Sequence, residues 1–335
     1  MPLLVRQQEH TDDAPVSRAD QDLPHLTTTV PREYVHRAAH AEVFLTGCRR
    51  LDGGDRFALT GQWPRAHTFF TDADGTRHDP TQAAETIRQV GLLLAHSEFG
   101  VPLGHQFLLR DMEYSVSPEN LDIGAGPSEL TLQAICTDVK WRGSRVTQFA
   151  MAITIERDGR PTAGGSGHFT CIAPAAYNRL RGARSAETGT AATPRPRTVD
   201  PRRVGRSAAA DVVLSPTDQH GHWLLSPDRS HPILFEHGGD HIPGMVLIEA
   251  ARQAACGLEG DTFEPVQVST EFHQYAEFDT PCWIDAMTVR PAQTGMLSVH
   301  VTGHQEGNVV FSALLTGYRR SGDASGDRWV GTPQE

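Results

Sequence analysis

Lysine is nearly absent from this sequence: Lys140 is the single lysine, and the other cations among the 30 lysines and arginines are all arginine. A Schiff-base lysine or a phosphate-loop lysine would have only this candidate, and no glycine-rich loop surrounds it. The net charge is −11 and the arginines are scattered, which argues against a nucleic-acid partner. The chain also lacks a run of 18 apolar residues, so no membrane partner is expected.

Cysteine pairs are absent as well. The cysteines are far apart, form no CxxC motif and follow no secretory leader. We therefore expect reduced thiols in a cytoplasmic protein at Cys48, Cys136, Cys171, Cys256 and Cys282. The 335 residues, 38% of them hydrophobic, are enough for two ordinary cores.

Composition predicts five segments. Residues 1–30 are polar, as expected for a disordered or loosely ordered N-terminal arm. Residues 181–203 are rich in Ala, Thr, Pro, Arg and Gly and predict a linker. The segments 31–180 and 204–320 are the two predicted domains, and 321–335 is the predicted C-terminal tail.

The two predicted domains repeat one pattern. Four residues recur at an offset of 164: His67, Glu85, Arg88 and Gln89 match His231, Glu249, Arg252 and Gln253. A further match has an offset of 169, a difference that a loop can absorb: Val35-x-Arg37 and Val204-x-Arg206. We interpret the pattern as an internal duplication.

Each copy is expected to contain one long helix followed by antiparallel strands. Apolar residues at helical spacing predict helices over about 80–96 and 243–258, each preceded by an extended segment, 41–45 and 211–214. Alternating runs then predict strands over 129–139, 148–157, 166–172, 264–275, 282–289, 297–304 and 309–318. The predicted class is α+β, with a curved antiparallel sheet wrapped around a buried central helix.

The densest group of chemically competent residues surrounds the start of the second helix. It runs from His231 through Asp240 and His241 to Pro243 and Gly244. Proline suits the first turn of a helix, and glycine lets a ligand approach the free amides there. Such amides can hold the oxyanion of a thioester. In the first copy, Asp79 and Pro80 occupy the positions of this proline and glycine, so the second copy has more of the residues expected in a site.

Glu249, Arg252 and Gln253 project from one side of the second helix. A charged group on a buried helix needs a partner or a function, so two interpretations are open: an ion pair and a catalytic group. Zinc ligation by the histidines is a weaker alternative because their spacing matches no closed zinc motif, and no metal is predicted.

Two motifs resemble known families. The run from His237 to Gln253, H-x2-D-H-x-P-G-M-x-L-x-E-A-x-x-Q, resembles the helix start of hotdog-fold acyl-carrier-protein dehydratases. The E-x-x-R-Q motif in both copies, with the stretch from Leu92 to Phe107, is similar to the A-factor biosynthesis family. This resemblance covers about 30–320 and implies tandem hotdog folds that form a pseudo-dimer within one chain.

The resemblance implies an acyltransferase that moves a β-ketoacyl group from acyl carrier protein to a hydroxyl of dihydroxyacetone phosphate. The product would lead to a γ-butyrolactone-type signalling molecule. No cofactor is expected beyond the carrier's phosphopantetheine, and the chain could be a monomeric pseudo-dimer or a homodimer. The alternatives are a hotdog thioesterase or dehydratase acting on acyl thioesters, and a non-catalytic acyl-lactone binding protein.

By the same resemblance, Glu249 is expected to be the general base, Arg252 to hold a phosphate, and Glu85 to be the counterpart from the first half. Burial raises a carboxyl pKa and a neighbouring arginine lowers it, so no direction is predicted for the pKa of Glu249. We expect a composite pocket at the seam, with the second helix start facing Glu85. The residues expected to bind substrate are Gly244, Met245, Gln253, His237, Asp240, His241, Arg88 and Gln89.

Overall fold

The computed structural model describes residues 27–72, 74–182, 196–236, 238–260 and 262–320. Most of the predicted arm, the centre of the predicted linker and the whole predicted tail lie outside these ranges. His237, one of the expected substrate-binding residues, lies outside them too.

Within the described ranges, twelve antiparallel strands form one continuous sheet, with six strands from each half. The first half supplies β1 (Leu45–Arg50), β2 (Arg56–Trp63), β3 (Gln106–Val116), β4 (Ser128–Arg142), β5 (Arg145–Arg157) and β6 (Arg160–Ile172). The second half supplies β7 (Leu214–Pro216), β8 (His222–Leu225), β9 (Phe263–Phe272), β10 (Trp283–Val289), β11 (Leu297–Gln305) and β12 (Asn308–Arg319).

The strand order shows the duplication directly. It reads β1-β2-β4-β5-β6-β3-β9-β12-β11-β10-β8-β7, so the second half repeats the order of the first in the opposite direction. The halves join where β3 pairs with β9, for example at Met112 and Thr270. The sheet therefore has a pseudo-two-fold axis between these two strands.

One long helix lies against the sheet in each half: α1 (Thr81–Ser97) and α3 (Gly244–Glu259). A short third helix, α2 (Pro174–Arg181), follows β6. Residues from Val246 to Cys256 are buried, as expected for a helix that the sheet wraps. This architecture, present twice in one chain, confirms the predicted tandem hotdog fold. No helix within the described ranges has the length and apolar character needed to cross a bilayer.

Several elements differ from the prediction. The expected extended segments 41–45 and 211–214 begin instead with single 3-10 turns, His40–Glu42 and Ala209–Asp211, and the strands start only at Leu45 and Leu214. The sequence did not predict β2, β3 or β8 or the helix α2. The edge strand β1 has no alternating burial that a period-2 pattern could reveal, because neither of its faces is fully covered.

Close packing between α1 and the sheet depends on Gly91. A Cβ atom at this position would lie 2.2 Å from Cζ of Phe169 in β6. The Phe169 ring is fully buried and stacks on Phe149 with a centroid distance of 5.1 Å, so moving it would break this stacking. The glycine therefore sets the distance between helix and sheet.

We predict that Gly91→Ala destabilises the protein, although alanine is favoured over glycine in a helix by about 1 kcal/mol. Overpacking of a dense core costs about 1–3 kcal/mol, and here the clash is with a ring that stacks on Phe149. Denaturant unfolding would measure the change in the free energy of unfolding. In a Phe169→Leu background the same substitution should cost less; strictly additive effects would contradict this account.

Candidate active site

In the second half, the Glu-x-x-Arg-Gln motif forms a closed network around a buried carboxylate. Glu249 accepts hydrogen bonds from Arg206 at 2.8 and 2.6 Å and from Arg252 at 2.9 and 2.8 Å. The Gln253 amide donates to the same carboxylate at 2.6 Å. Only 1% of Glu249 is exposed, so this carboxylate has no contact with bulk water.

The first half repeats this network. Arg37 lies 3.0 Å (Nε) and 2.7 Å (Nη2) from Oε1 of Glu85. Arg88 donates to the Glu85 carboxylate at 2.9 and 2.8 Å, and Gln89 donates at 2.8 Å. The correspondence extends to the backbone, since Arg88 and Arg252 bond to the carbonyls of Val35 and Val204. The repeated letters of the sequence therefore encode a repeated hydrogen-bond network.

Both networks reach across the seam between the halves. Arg206 donates to the Phe69 carbonyl at 2.6 Å and lies 4.0 Å above the Phe69 ring. Arg37 donates to the carbonyl of Ile233, the matching residue, at 3.0 Å. Each half thus supplies an arginine that binds a buried glutamate of its own half and a carbonyl of the other.

The recurring histidines cap turns. Nδ1 of His231 accepts the amides of Ile233 and Leu234 at 3.2 and 3.0 Å, and Nε2 lies 2.9 Å from Asp211. The matching residue, His67, has equivalent partners: Phe69, Phe70 and Glu42. These contacts use both ring nitrogens. Among the residues that the structure describes, no three His, Cys, Asp or Glu side chains are grouped as metal ligands would be.

The arginines keep both buried glutamates ionised. Burial by itself would raise the carboxyl pKa, but Arg206 and Arg252 lower the pKa of Glu249 to about 2. Arg37 and Arg88 likewise lower the pKa of Glu85 to about 2 against the effect of burial. A carboxylate with such a pKa, whose oxygens already accept several hydrogen bonds, is a weak base at neutral pH. These contacts match the ion-pair interpretation, and the catalytic roles of Glu249, Arg252 and Glu85 remain predictions.

A cavity of about 630 Å³ lies at the seam, where the composite pocket was expected. The second half contributes the start of α3, from His241 to Met245, and the first half contributes Arg88 and Leu92 of α1. The remaining wall is mixed, and its apolar part includes Phe107, Leu109, Phe169, Ile233, Leu234, Leu247 and Phe272. A volume of this size suits a small organic ligand.

Some of the predicted site residues line the cavity, and the others lie behind its wall. Arg88, His241, Gly244 and Met245 line the cavity. Glu85 lies behind it and holds two lining residues, Arg37 and Arg88. The others belong to the buried networks or, in one case, to the layer behind His241, and they do not line the cavity: Glu249, Arg252, Gln253, Gln89 and Asp240.

The two long helices differ at their N-termini. At α3, the carbonyl of Pro243 accepts the amides of Val246 and Leu247, while those of Gly244 and Met245 have no hydrogen-bond partner among the described residues. Both of the latter residues line the cavity. The N-terminus of α3 is therefore open to a ligand.

At α1 a carboxylate occupies the equivalent place. Asp79 accepts hydrogen bonds from the Thr81 amide at 2.8 Å and the Thr81 hydroxyl at 2.6 Å. It also pairs with Arg206 at 3.3 Å and is buried. An anionic ligand at this end of α1 would meet a negative charge, so the duplication retains one open helix N-terminus of two.

His241 has a set of partners that sequence reasoning did not identify. Its Nδ1 lies 2.7 Å from Oδ1 of Asp240, and the Tyr177 hydroxyl donates to the same oxygen at 2.6 Å. Arg181 donates to the other carboxylate oxygen at 2.9 Å and pairs with Glu277 at 2.7 Å. Against the effect of burial, the hydrogen bonds from Tyr177, His241 and Arg181 lower the pKa of Asp240 to about 2.

Tyr177 and Arg181 lie on α2, at a boundary that the composition placed between a domain and a linker. Pro174 starts the helix, and Tyr177 and Arg181 are four residues apart and therefore share one helix face. This pattern was the signal that could have found them. Both side chains are buried against the second half although they belong to the first. The first half therefore completes the surroundings of the α3 N-terminus.

Comparison with known proteins identifies the family. The family model of the A-factor biosynthesis hotdog domain matches the chain twice, over residues 19–173 and 188–318. The chain belongs to the A-factor biosynthesis family. The two matched segments of the chain coincide with the two halves of the sheet and support the predicted duplication.

Curated relatives in this family are named 2-oxo-3-(phosphooxy)propyl 3-oxoalkanoate synthase. One from Streptomyces virginiae is 50% identical over 87% of this chain and 98% of its own. Another, from Streptomyces griseus subsp. griseus, is 39% identical over 93% of this chain and 98% of its own. Among solved structures, a putative oleoyl thioesterase from Lactobacillus plantarum is 10% identical, with a TM-score of 0.49, over 80% of this chain and 98% of its own.

We predict that Glu249→Gln and Glu85→Gln each lower the free energy of unfolding by about 3–5 kcal/mol, because each removes the buried carboxylate that two arginines share. Chemical denaturation would measure the loss. Glu33→Gln is the matched control: Glu33 pairs with Arg32 at the surface, and its loss should leave the free energy of unfolding nearly unchanged. Equal, small losses for all three variants would contradict the structural role of the networks.

Proposed function

We propose that this protein transfers a β-ketoacyl group from an acyl carrier protein thioester to a hydroxyl of dihydroxyacetone phosphate. The observation that carries the proposal is the open N-terminus of α3 at a large, mostly apolar cavity shared by both halves. The product, a 2-oxo-3-(phosphooxy)propyl 3-oxoalkanoate, is the compound in the names of the curated relatives. It would feed the synthesis of a γ-butyrolactone-type signal.

The acyl chain has an apolar wall to bind. Leu92, Phe107 and Leu109 from the first half face the same cavity as Ile242 and Phe272 from the second. Burial of apolar surface contributes roughly 25 cal/mol per Å², so a chain enclosed here gains affinity from each methylene group. The expected donor is therefore a medium or long acyl thioester.

The amides of Gly244 and Met245 are the oxyanion donors of this proposal. Amides at a helix N-terminus point along the helix dipole and favour negative charge, and oxyanion-hole donors lower the barrier to acyl transfer. A Cβ atom on Gly244 would lie 3.4 Å from the Phe272 ring, between the apolar wall and the amides. The absence of a side chain leaves this path open.

Arg88 is the best-placed cation for a phosphate group. Its Nε and Nη2 are held by Glu85, whereas no described residue accepts a hydrogen bond from Nη1. The side chain is 16% exposed and lines the cavity. Arg252, which was expected to hold a phosphate, donates hydrogen bonds to Glu249 and Val204 and lies 3.8 Å from the Cys256 sulfur. In this proposal, the hydrogen bonds from Arg88 to Glu85 hold the guanidinium in position for the phosphate.

The central experiment incubates the purified chain with a β-ketoacyl pantetheine thioester and dihydroxyacetone phosphate, and detects the phosphorylated ester by mass spectrometry. We expect ester only when both substrates are present. Free β-keto acid formed at the same rate with and without acceptor would contradict the proposal and favour a thioesterase. A β-ketoacyl-carrier protein should give a higher kcat/KM than the free pantetheine thioester; an equal or lower value would contradict the carrier as donor.

Filling the cavity should impair transfer without unfolding the chain. We predict that Met245→Trp lowers kcat/KM for the thioester by more than about tenfold, a barrier increase of about 1.4 kcal/mol. The matched control is Met287→Trp, because Met287 is 59% exposed on β10. An equal loss in both variants, or none in either, would argue against this cavity as the acyl site.

Arg88→Ala should raise the KM for dihydroxyacetone phosphate and leave the KM for the thioester nearly unchanged. Loss of a hydrogen bond to a charged group costs about 1.5–3 kcal/mol, which corresponds to a rise of roughly 10- to 150-fold. Arg110, exposed where it borders the cavity, provides the comparison variant Arg110→Ala. A rise in KM for Arg110→Ala alone would transfer the phosphate contact to that residue.

A further inference from the structure

Acyl transfer needs a group that removes the proton from the acceptor hydroxyl, and the buried glutamates are poorly suited to this task. Glu249 is 1% exposed and its oxygens already accept hydrogen bonds from two arginines and a glutamine. Glu85 is fully buried in an equivalent network. An acceptor bound in the cavity could not reach either carboxylate without breaking these contacts.

His241 meets the requirements that the glutamates do not. Its side chain is 30% exposed and lines the cavity three residues before Gly244, which supplies an oxyanion amide. We infer that His241 is the general base of the transfer and that Asp240 is its positioning residue. The inference rests on the acyl transfer proposed above and assigns to it a proton acceptor.

The hydrogen bonds of His241 select the useful tautomer. Nδ1 lies 2.7 Å from Asp240, so this nitrogen carries the proton and donates it to the carboxylate. Nε2 then has a lone pair and no hydrogen-bond partner among the described residues. A histidine oriented by a carboxylate through Nδ1 and active through Nε2 is a general arrangement for proton abstraction from a hydroxyl.

Residues of both halves hold this pair in place. The Tyr177 hydroxyl and the Arg181 guanidinium also donate hydrogen bonds to the Asp240 carboxylate. The Tyr275 ring packs edge-on against the His241 ring with a centroid distance of 4.7 Å, and Arg181 lies 4.2 Å above Tyr275. The imidazole is therefore fixed by its neighbours before a substrate binds, which is the condition for efficient general-base catalysis.

Burial leaves His241 neutral near pH 7 despite its acidic neighbours. Burial lowers its pKa, and Arg181 acts in the same direction, whereas Asp240 and Glu277 raise it. The hydroxyls of Tyr177 and Tyr275 face the same group and stay protonated, since burial raises the pKa of both. The net shift of the His241 pKa is downward, so the base form predominates at neutral pH.

The step balances without a further reactant. Nε2 of His241 accepts the hydroxyl proton while the acceptor oxygen forms a bond to the thioester carbon, and the carbonyl electron pair moves to the oxygen held by the Gly244 and Met245 amides. When that pair returns, the carbon–sulfur bond breaks. The leaving thiolate takes the proton from His241, which regenerates the neutral imidazole for the next cycle.

The test compares His241→Gln and Asp240→Asn with wild type in the transfer assay. A positioned general base contributes about 10²- to 10⁴-fold, so we expect kcat to fall by that factor in His241→Gln while the KM values change little. Asp240→Asn should lower kcat as well. The control is His220→Ala, because His220 lies on an exposed turn and should leave kcat unchanged.

A pH profile separates chemistry from a structural effect. Wild-type kcat/KM should rise with pH along a limb whose midpoint lies below the ordinary histidine value of about 6.5, and the residual activity of His241→Gln should lack that limb. If the wild type forms ester but His241→Gln keeps full kcat, or if the wild-type profile has no such limb, the inference fails and the proposed function stands. If the wild type forms no ester, the proposed function itself fails. Should His241→Gln not fold, the wild-type profile alone decides.

Discussion

The structure depends on two buried carboxylates that are each held by two arginines. Ionised groups are expensive to bury, and their burial is tolerable only when partners satisfy them completely. Glu85 and Glu249 meet that condition through Arg37 with Arg88 and through Arg206 with Arg252. Because one arginine of each set also binds a carbonyl of the opposite half, the networks fix the central helices, the preceding loops and the seam together.

A duplicated chain has two helix N-termini that could bind a thioester, and one difference between the copies distinguishes them. Pro243 leaves the first amides of α3 unpaired, whereas Asp79 at the matching position binds Thr81 and Arg206. The carboxylate satisfies at α1 the donors that a ligand would use at α3. The networks behind the two helices stay alike because they hold the fold, and their loss would leave buried charge unpaired in either half.

Much of this could be predicted from the sequence, because the responsible residues are close together along the chain or recur at a fixed offset. The long helices, most strands that follow them, the duplication and the open α3 N-terminus belong to this class. The fate of Glu249 does not: its partner Arg206 lies 43 residues earlier, and no local pattern shows that their side chains meet. Sequence spacing indicated a pair with Arg252 and left the direction of the Glu249 pKa shift open. The second arginine, Arg206, makes the shift downward.

Tyr177 and Arg181 were missed for a related reason. Their segment is poor in large apolar residues, and its burial comes from contacts with Asp240, Tyr275 and Glu277 of the other half. Glu249 and His241 have contrasting surroundings. Glu249 is surrounded by cations and held as a carboxylate, while His241 has a carboxylate partner on Nδ1 and lines the cavity. Environments that separate pKa values in this way distinguish a structural charge from a proton acceptor. The contacts of the two groups therefore agree with the ion-pair interpretation of Glu249 and with the proton-acceptor role inferred for His241.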